Sequence, residues 1–143
     1  KFEIENLPVC YADIEQTKSV FNNLIDNCIK FRKKDEKLII NVRGYISKTM
    51  ITYCVKDNGI GIAVEEQKNI FKPLYRIQPE IYKSKGIGLS LVQRYVHRNM
   101  GTIWVESRKG QGSKFYVRLP RKAKIDYFSP ILFNYYLARK NKN

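Results

Sequence analysis

Hydrophobic residues recur every third or fourth position between Asp13 and Phe31, where Val20, Phe21, Leu24, Cys28 and Phe31 share one face of a helix. Asp13 followed by Gln16 has the form of a helix start, a capping side chain with a partner three residues on. A second longer helix is predicted over 87–99, opened by Gly86 and Gly88 and ended by Gly101. A short helix over 65–71 stops ahead of Pro73. Residues 1–5 read as a short strand closed by Asn6 and Pro8. Apolar and β-branched residues over 37–46 and 49–55 predict two strands paired around Ser47-Lys48. The stretches "TIWVES" and "SKFYVRLP" predict a last pair across a turn at 108–112, with Pro120 ending the sheet. Residues 33–36 are a solvated loop, and 74–85 hold Pro79, several cations and little periodicity, a loop long enough to be functional or disordered. One apolar face per helix implies two layers, with helices 13–31, 65–71 and 87–99 covering one face of a sheet.

At 143 residues the chain is one domain's worth of sequence and can bury a core. It contains no run of about 18 apolar residues, and its start "KFEIENLPVC" lacks the apolar stretch of a signal peptide. The chain is therefore expected to be soluble, whether or not its parent is attached to a membrane. The net charge of +14 invites a nucleic-acid reading. Residues 121–143 set six cations against Asp126 and carry +5 of it, leaving +9 on residues 1–120. Those charges are scattered rather than striped along one element, so nucleic acid is not the expected partner, and a positive field suits a polyphosphate equally well. Cys10, Cys28 and Cys54 are odd in number and set among apolar residues, as reduced thiols would be. The tail is separate: Ser129-Pro130 before "ILFNYYLARK" either starts a short amphipathic helix or belongs to a weakly ordered end.

Three stretches carry candidate chemistry. In "FNNLIDNCIKF" Asn23, Asn27 and Lys30 share a polar helix face opposite Phe21, Leu24 and Cys28. Amide oxygens can ligate Mg²⁺ and an ammonium can meet a phosphate, though a solvated helix face reads the same way. In "VKDNGIGI" a turn with a second glycine suggests backbone held close to something bulky, with Asp57 left for a specific polar contact. In "KGIGLS" a basic loop meets a helix N-terminus, where free amides and the dipole favour anions. No complete dinucleotide fingerprint and no Walker-type loop is present.

In that order, the stretches resemble the ATP-binding catalytic domain of sensor histidine kinases, in the superfamily that includes DNA gyrase, the MutL repair proteins and the heat-shock chaperone ATPases. "NNLIDNCIKF" is similar to the N box, "DNGIGI" to the G1 box, "IFKPLYR" to the F box, "KGIGLSLV" to the G2 box, and "GTIWVESRKGQGSKFYVRLP" to the closing hairpin. The resemblance covers residues 1–120 and implies a Bergerat-type α/β two-layer sandwich with a mixed sheet, the tail lying outside it. It implies that Asp57 accepts a hydrogen bond from the adenine amine, with Gly59 and Gly61 letting the base lie on bare backbone. Asn27 would hold Mg²⁺, with Asn23 and Lys30 beside the phosphates and Phe31 flanking the nucleotide. Arg76 and Lys83 or Lys85 would close over the γ-phosphate. Gly86 and Gly88 would supply phosphate-facing amides, and Ile62, Ile87 and Leu89 complete the nucleotide-binding set. Asn23, Lys30 and Arg76 are the residues expected to act on the transfer itself.

The ATPases of the superfamily carry a Glu four residues before the metal-binding Asn; here Asn23 stands there, and an amide cannot be a general base for water. The resemblance therefore implies transfer of the γ-phosphoryl to a histidine on a separate dimerisation domain, with a response regulator downstream. The sole histidine, His97, falls where the family is not phosphorylated. The parent is expected to be homodimeric and cytoplasmic or stromal, its attachment to the inner face of a membrane left open. Ser84-Lys85 ahead of Gly86 and Asn99-Met100-Gly101 depart from the family's usual residues. Three rivals stand beside this reading: a nucleotide-binding regulatory module without turnover, a basic nucleic-acid-binding domain, and a serine kinase of the same fold.

Overall fold

A computed structural model describes residues 1–5, 7–77 and 86–122. Five strands form one mixed sheet in the order β1-β2-β3-β5-β4: β1 (Phe2–Ile4), β2 (Ile40–Ile46), β3 (Met50–Asp57), β4 (Thr102–Arg108) and β5 (Gly112–Pro120). Only β1 and β2 are parallel; every other neighbouring pair is antiparallel. Helices α1 (Ile14–Lys30), α2 (Val64–Gln67) and α3 (Gly88–Arg98) complete the α/β two-layer sandwich.

The period-two pattern of β3 explains the layering. Ile51, Tyr53, Val55 and Asp57 are buried on the side that meets the helices, against Val20, Leu24 and Cys28 of α1 and Val92 and Val96 of α3. Phe115, Val117 and Leu119 of β5 join them. Phe21 meets the Tyr53 ring edge-on at 5.4 Å.

Asp13 caps α1 as expected, its Oδ1 accepting from the Gln16 amide at 2.8 Å. The reciprocal half of the capping box is taken by another helix. Asn99, at the C-terminal end of α3, accepts from the Asp13 amide at 2.7 Å and donates to Gln16 Oε1 at 3.1 Å and to the Tyr95 carbonyl at 2.8 Å. One amide thus bolts the start of α1 to the end of α3.

Several boundaries move. The short helix spans Val64–Gln67 rather than 65–71, because the chain turns at Lys68 toward Pro73. β2 starts at Ile40, not residue 37, and β3 runs on to Asp57, so the Asp-Asn-Gly turn begins inside the strand. Asn58 fastens that turn to β2, accepting from the Ile39 amide at 2.8 Å and donating to the Lys37 carbonyl at 3.0 Å. The predicted tail element at 129 onward lies outside the described residues.

Candidate functional site

A cavity of about 390 Å³ lies between α1, the 57–62 turn, residues 75–77 and the start of α3. Asp57 is its buried carboxylate, 7% exposed at the end of β3. Its Oδ1 accepts from the Gly59 amide at 2.7 Å, and the Cys28 thiol donates to Oδ2 at 3.8 Å. Burial pushes the Asp57 carboxyl above its ordinary range, while the amides of Gly59 and Ser113 and the Cys28 thiol pull it back. Burial, followed by the charge of Asp57, pushes the Cys28 thiol up to about 12. Cys28 is therefore a protonated donor at neutral pH, and from the buried face of α1 it also lines the cavity. A carboxylate so far out of water requires donors, and the open cavity is where a further one can arrive.

The turn that follows Asp57 is fixed from two sides. The Ile60 amide donates to the Phe31 carbonyl at 3.0 Å, and the Gly110 amide donates to the Ile60 carbonyl at 2.7 Å. Ser107 Oγ accepts from the Ile62 amide at 2.8 Å, while Gln67 Nε2 bridges the Ser107 and Ile62 carbonyls at 2.8 and 3.1 Å. The glycines are there for these approaches. A Cβ on Gly59 would stand 2.5 Å from the Phe31 carbonyl oxygen, and one on Gly61, at φ +68°, would strike the Arg108 carbonyl. The close neighbour in each case is protein backbone.

Lys30 and Arg76 bring two cations to the same cavity. The Lys30 ammonium sits 4.9 Å from the centre of the Phe31 ring. Burial and then the charge of Arg76 lower the pKa of Lys30, so an anion arriving beside its ammonium is favoured. At the start of α3 no side chain caps the helix, so its first amides remain available to an acceptor. A Cβ on Gly88 would stand 2.8 Å from Asn23 Oδ1, so the glycine is what allows α1 and α3 to meet there. Asn23 Nδ2 donates back to the Ser19 carbonyl at 2.8 Å, which turns its oxygen toward α3. The Leu74 amide donates to the Gly86 carbonyl at 2.8 Å.

Of the sequence-predicted site residues, Asn23, Asn27, Lys30, Phe31, Asp57, Gly61, Ile62, Arg76, Gly86, Ile87, Gly88 and Leu89 line one cavity. Gly59 does not line it and acts from behind, through its bond to Asp57. Lys83 and Lys85 lie outside the described residues. Sequence reasoning missed Asp26, Cys28, Ile60, Ile70, Tyr75, Ile77, Ser113 and Phe115. Ser113 and Phe115 reach the cavity because the register sets Lys56 opposite Lys114 and brings the helix-facing side of β5 beside Asp57. Tyr75 is turned by its hydroxyl bond to Glu66.

The family model for histidine kinase-, DNA gyrase B- and HSP90-like ATPases matches residues 12–123. The chain belongs to this family. It is 36% identical over 116 residues to the sensor protein RprX of Bacteroides fragilis, 42% over 120 residues to cyanobacterial phytochrome B of Nostoc, and 37% over 118 residues to the adaptive-response sensory kinase SasA of Crocosphaera subtropica. These matches take in 79%, 81% and 81% of the chain but only 22%, 16% and 30% of the relatives. Among solved structures, the catalytic domain of histidine kinase ThkA superposes with a TM-score of 0.70 at 28% identity, over 84% of this chain and 78% of that one. The mycobacterial sensor histidine kinase MprB has the same fold, with a TM-score of 0.71 at 22% identity over 84% and 80% of the two chains. The domain is of the sensor-kinase catalytic type.

Proposed function

We propose that the chain binds ATP with Mg²⁺ in this cavity and donates the γ-phosphoryl group to a histidine on a separate domain of its parent. The observation that carries the reading is a buried carboxylate and two cationic side chains lining one largely apolar cavity, which suits a ligand with an aromatic amine donor at one part and a polyanion at another. Asp57 accepts from the adenine amine, while Ile62, Leu89 and Phe115 supply apolar wall. Phe31 flanks the nucleotide, and Lys30, Arg76 and the amides from Gly86 to Leu89 hold phosphate oxygens. Lys85 is assigned to the same task.

The donor set fits a hard cation held mainly by its substrate. Among the described residues no group of three His, Cys, Asp or Glu side chains could hold a metal. Asn27 offers an amide oxygen, the kind of ligand Mg²⁺ accepts alongside waters and phosphates. Mg²⁺, when bound, neutralises charge on the phosphates. Asn23 keeps the position of a general base occupied by an amide, so water is not activated there and the phosphoryl group is conserved for its acceptor. Lys30 and Arg76 act on the transfer by position and charge.

His97 is exposed in the last turn of α3 and is not assigned as the acceptor. The acceptor is placed on a dimerisation hairpin elsewhere in a homodimeric parent, with a response regulator served through it in a cytoplasmic or stromal compartment. Among the described residues no helix is long and apolar enough to cross a membrane. Residues 1–120 are assigned to the catalytic domain and 121–143 to a tail outside it.

The test supplies a phosphoacceptor hairpin and γ-labelled ATP to the chain. Label on histidine, stable to alkali and lost in acid, is expected. Nucleotide binding without any label would instead make the chain a regulatory module, and alkali-labile label on serine would make it a serine kinase.

A further inference from the structure

The sheet has a second face, turned away from α1 and α3, and its chemistry is distinct. Alternation along the paired strands places Arg43 of β2, Lys56 of β3, Lys114 and Arg118 of β5 and Arg108 of β4 on that face; its acids are Glu106, opposite Lys114, and, at the β1 edge, Glu3 and the Glu5 that accepts from Asn41. Glu106 is engaged by the Tyr116 hydroxyl at 3.1 Å. None of the five cations takes part in an ion pair among the described residues. Lys56 stands directly across from Lys114, and like charges in that position destabilise a sheet. A hollow of about 220 Å³ opens beside them, bordered by Arg108 and Gln111.

The rest of the face is an aromatic floor that is already occupied. Trp104 and Tyr116 stack at 5.0 Å with their rings 10° apart, Arg118 lies 5.0 Å over Trp104, and Arg43 lies 5.5 Å over Tyr45. Ring faces covered by guanidinium groups are poor platforms for nucleic-acid bases, which need open π-faces. They hold the cations in place at low entropic cost instead.

We propose that this sheet face, which no helix covers among the described residues, is a docking surface for an acidic protein segment, rich in Asp and Glu. Charge complementarity selects the occupant: five cations held on a framework attract carboxylates, and the like-charge pair Lys56–Lys114 is relieved when an anion sits between them. The chain's own residues 121–143 do not suit the surface, since six cations there face a single acid.

Poly-L-glutamate binding by the 143-residue chain provides the test. The pair Lys56→Glu and Lys114→Glu should weaken it at least ~10-fold and flatten its salt dependence, while Lys68→Glu with Arg94→Glu, an equal charge change on other exposed positions, should alter it less than ~3-fold. Lys56→Glu alone replaces a like-charge pair by an opposite one, so it should raise the melting temperature while still weakening binding. Equal loss in both pairs, undiminished binding in a folded Lys56→Glu chain, or no binding by the unaltered chain at low salt overturns the proposal. So does tighter binding of oligo(dT) than of polyglutamate through the same lysines. Mg²⁺-ATP affinity should be unchanged in every variant, which keeps this outcome separate from that of the nucleotide reading.

Discussion

The Cys28 sulfur lies 3.8 Å from Oδ2 of Asp57, both side chains buried and both lining the cavity between α1 and the sheet. The pair sets a pH dependence. Burial holds the Asp57 carboxyl above its ordinary value of 3.8, so the unfolded chain releases this proton first as pH rises. The stability attached to the protonated form is present below 3.8 and is lost as pH rises through the higher folded value. Asp57→Asn removes this loss. Its stability relative to the unaltered chain should therefore improve as pH rises above 3.8, read by urea unfolding at each pH, while ATP affinity at pH 7 falls at least ~10-fold by calorimetry. Undiminished ATP affinity would remove Asp57 from adenine recognition.

Lys30 and Arg76 should separate phosphate binding from base binding. Lys30→Met removes one of two cations that crowd each other, so the anion loses a partner while the adenine end is untouched. ATP affinity should fall roughly 10-fold, the size of one charge-assisted hydrogen bond, and adenosine affinity by less than about 2-fold. An equal loss for both ligands in parallel titrations would place Lys30 away from the phosphates.

Much of this is legible in the sequence. Asp13 announces α1, and Asn23, Asn27 and Lys30 fall on one helical face because spacing alone fixes them. The order of glycine turns and helices marks the site, and twelve of its predicted members converge on one cavity. What sequence could not give depends on strand register. Ser113 and Phe115 enter the site, and Lys56, Lys114, Arg118 and Arg43 gather on one face, only because three strands align at particular offsets. Charges that look scattered along the chain are adjacent in the sheet. The close approaches at Gly59 and Gly61 escape the sequence for a related reason: the backbone they meet belongs to Phe31 and Arg108, distant in sequence.

Gly88 tests the seam between the two helices. At an ordinary helical position glycine to alanine is worth up to ~1 kcal/mol of added stability. Here the new Cβ would meet Asn23 Oδ1 at 2.8 Å, the end of a side chain that can swing aside. Gly88→Ala should leave the unfolding midpoint within ~1 kcal/mol of the unaltered chain while weakening ATP binding, since Asn23 and the first α3 amides both line the cavity. Unfolding curves paired with calorimetry check the split, and an ATP affinity equal to that of the unaltered chain would show that Asn23 has no part in holding the nucleotide.

Asn99 is the strongest single test of the fold itself. Its side chain accepts from the Asp13 amide and donates to Gln16 and Tyr95, so one residue satisfies groups at the start of α1 and the end of α3. Asn99→Ala strands three partners, of which the Asp13 amide loses the acceptor that holds the helix entry. The partners are near the surface, so water replaces part of what is lost, and a cost of about 1–3 kcal/mol follows from three modest hydrogen bonds. Asn99→Asp retains the acceptor for Asp13 but loses the donor to Gln16 Oε1 and the Tyr95 carbonyl, and adds a negative charge at the C-terminal end of α3, where the dipole opposes it. Urea unfolding should therefore place Asn99→Asp below the unaltered chain as well. Because the bolt sits at the far ends of the helices from Lys30 and Gly88, ATP affinity in the folded population should be nearly unchanged by either substitution. A large drop in affinity with no drop in stability would mean that Asn99 serves the cavity rather than the helix pair.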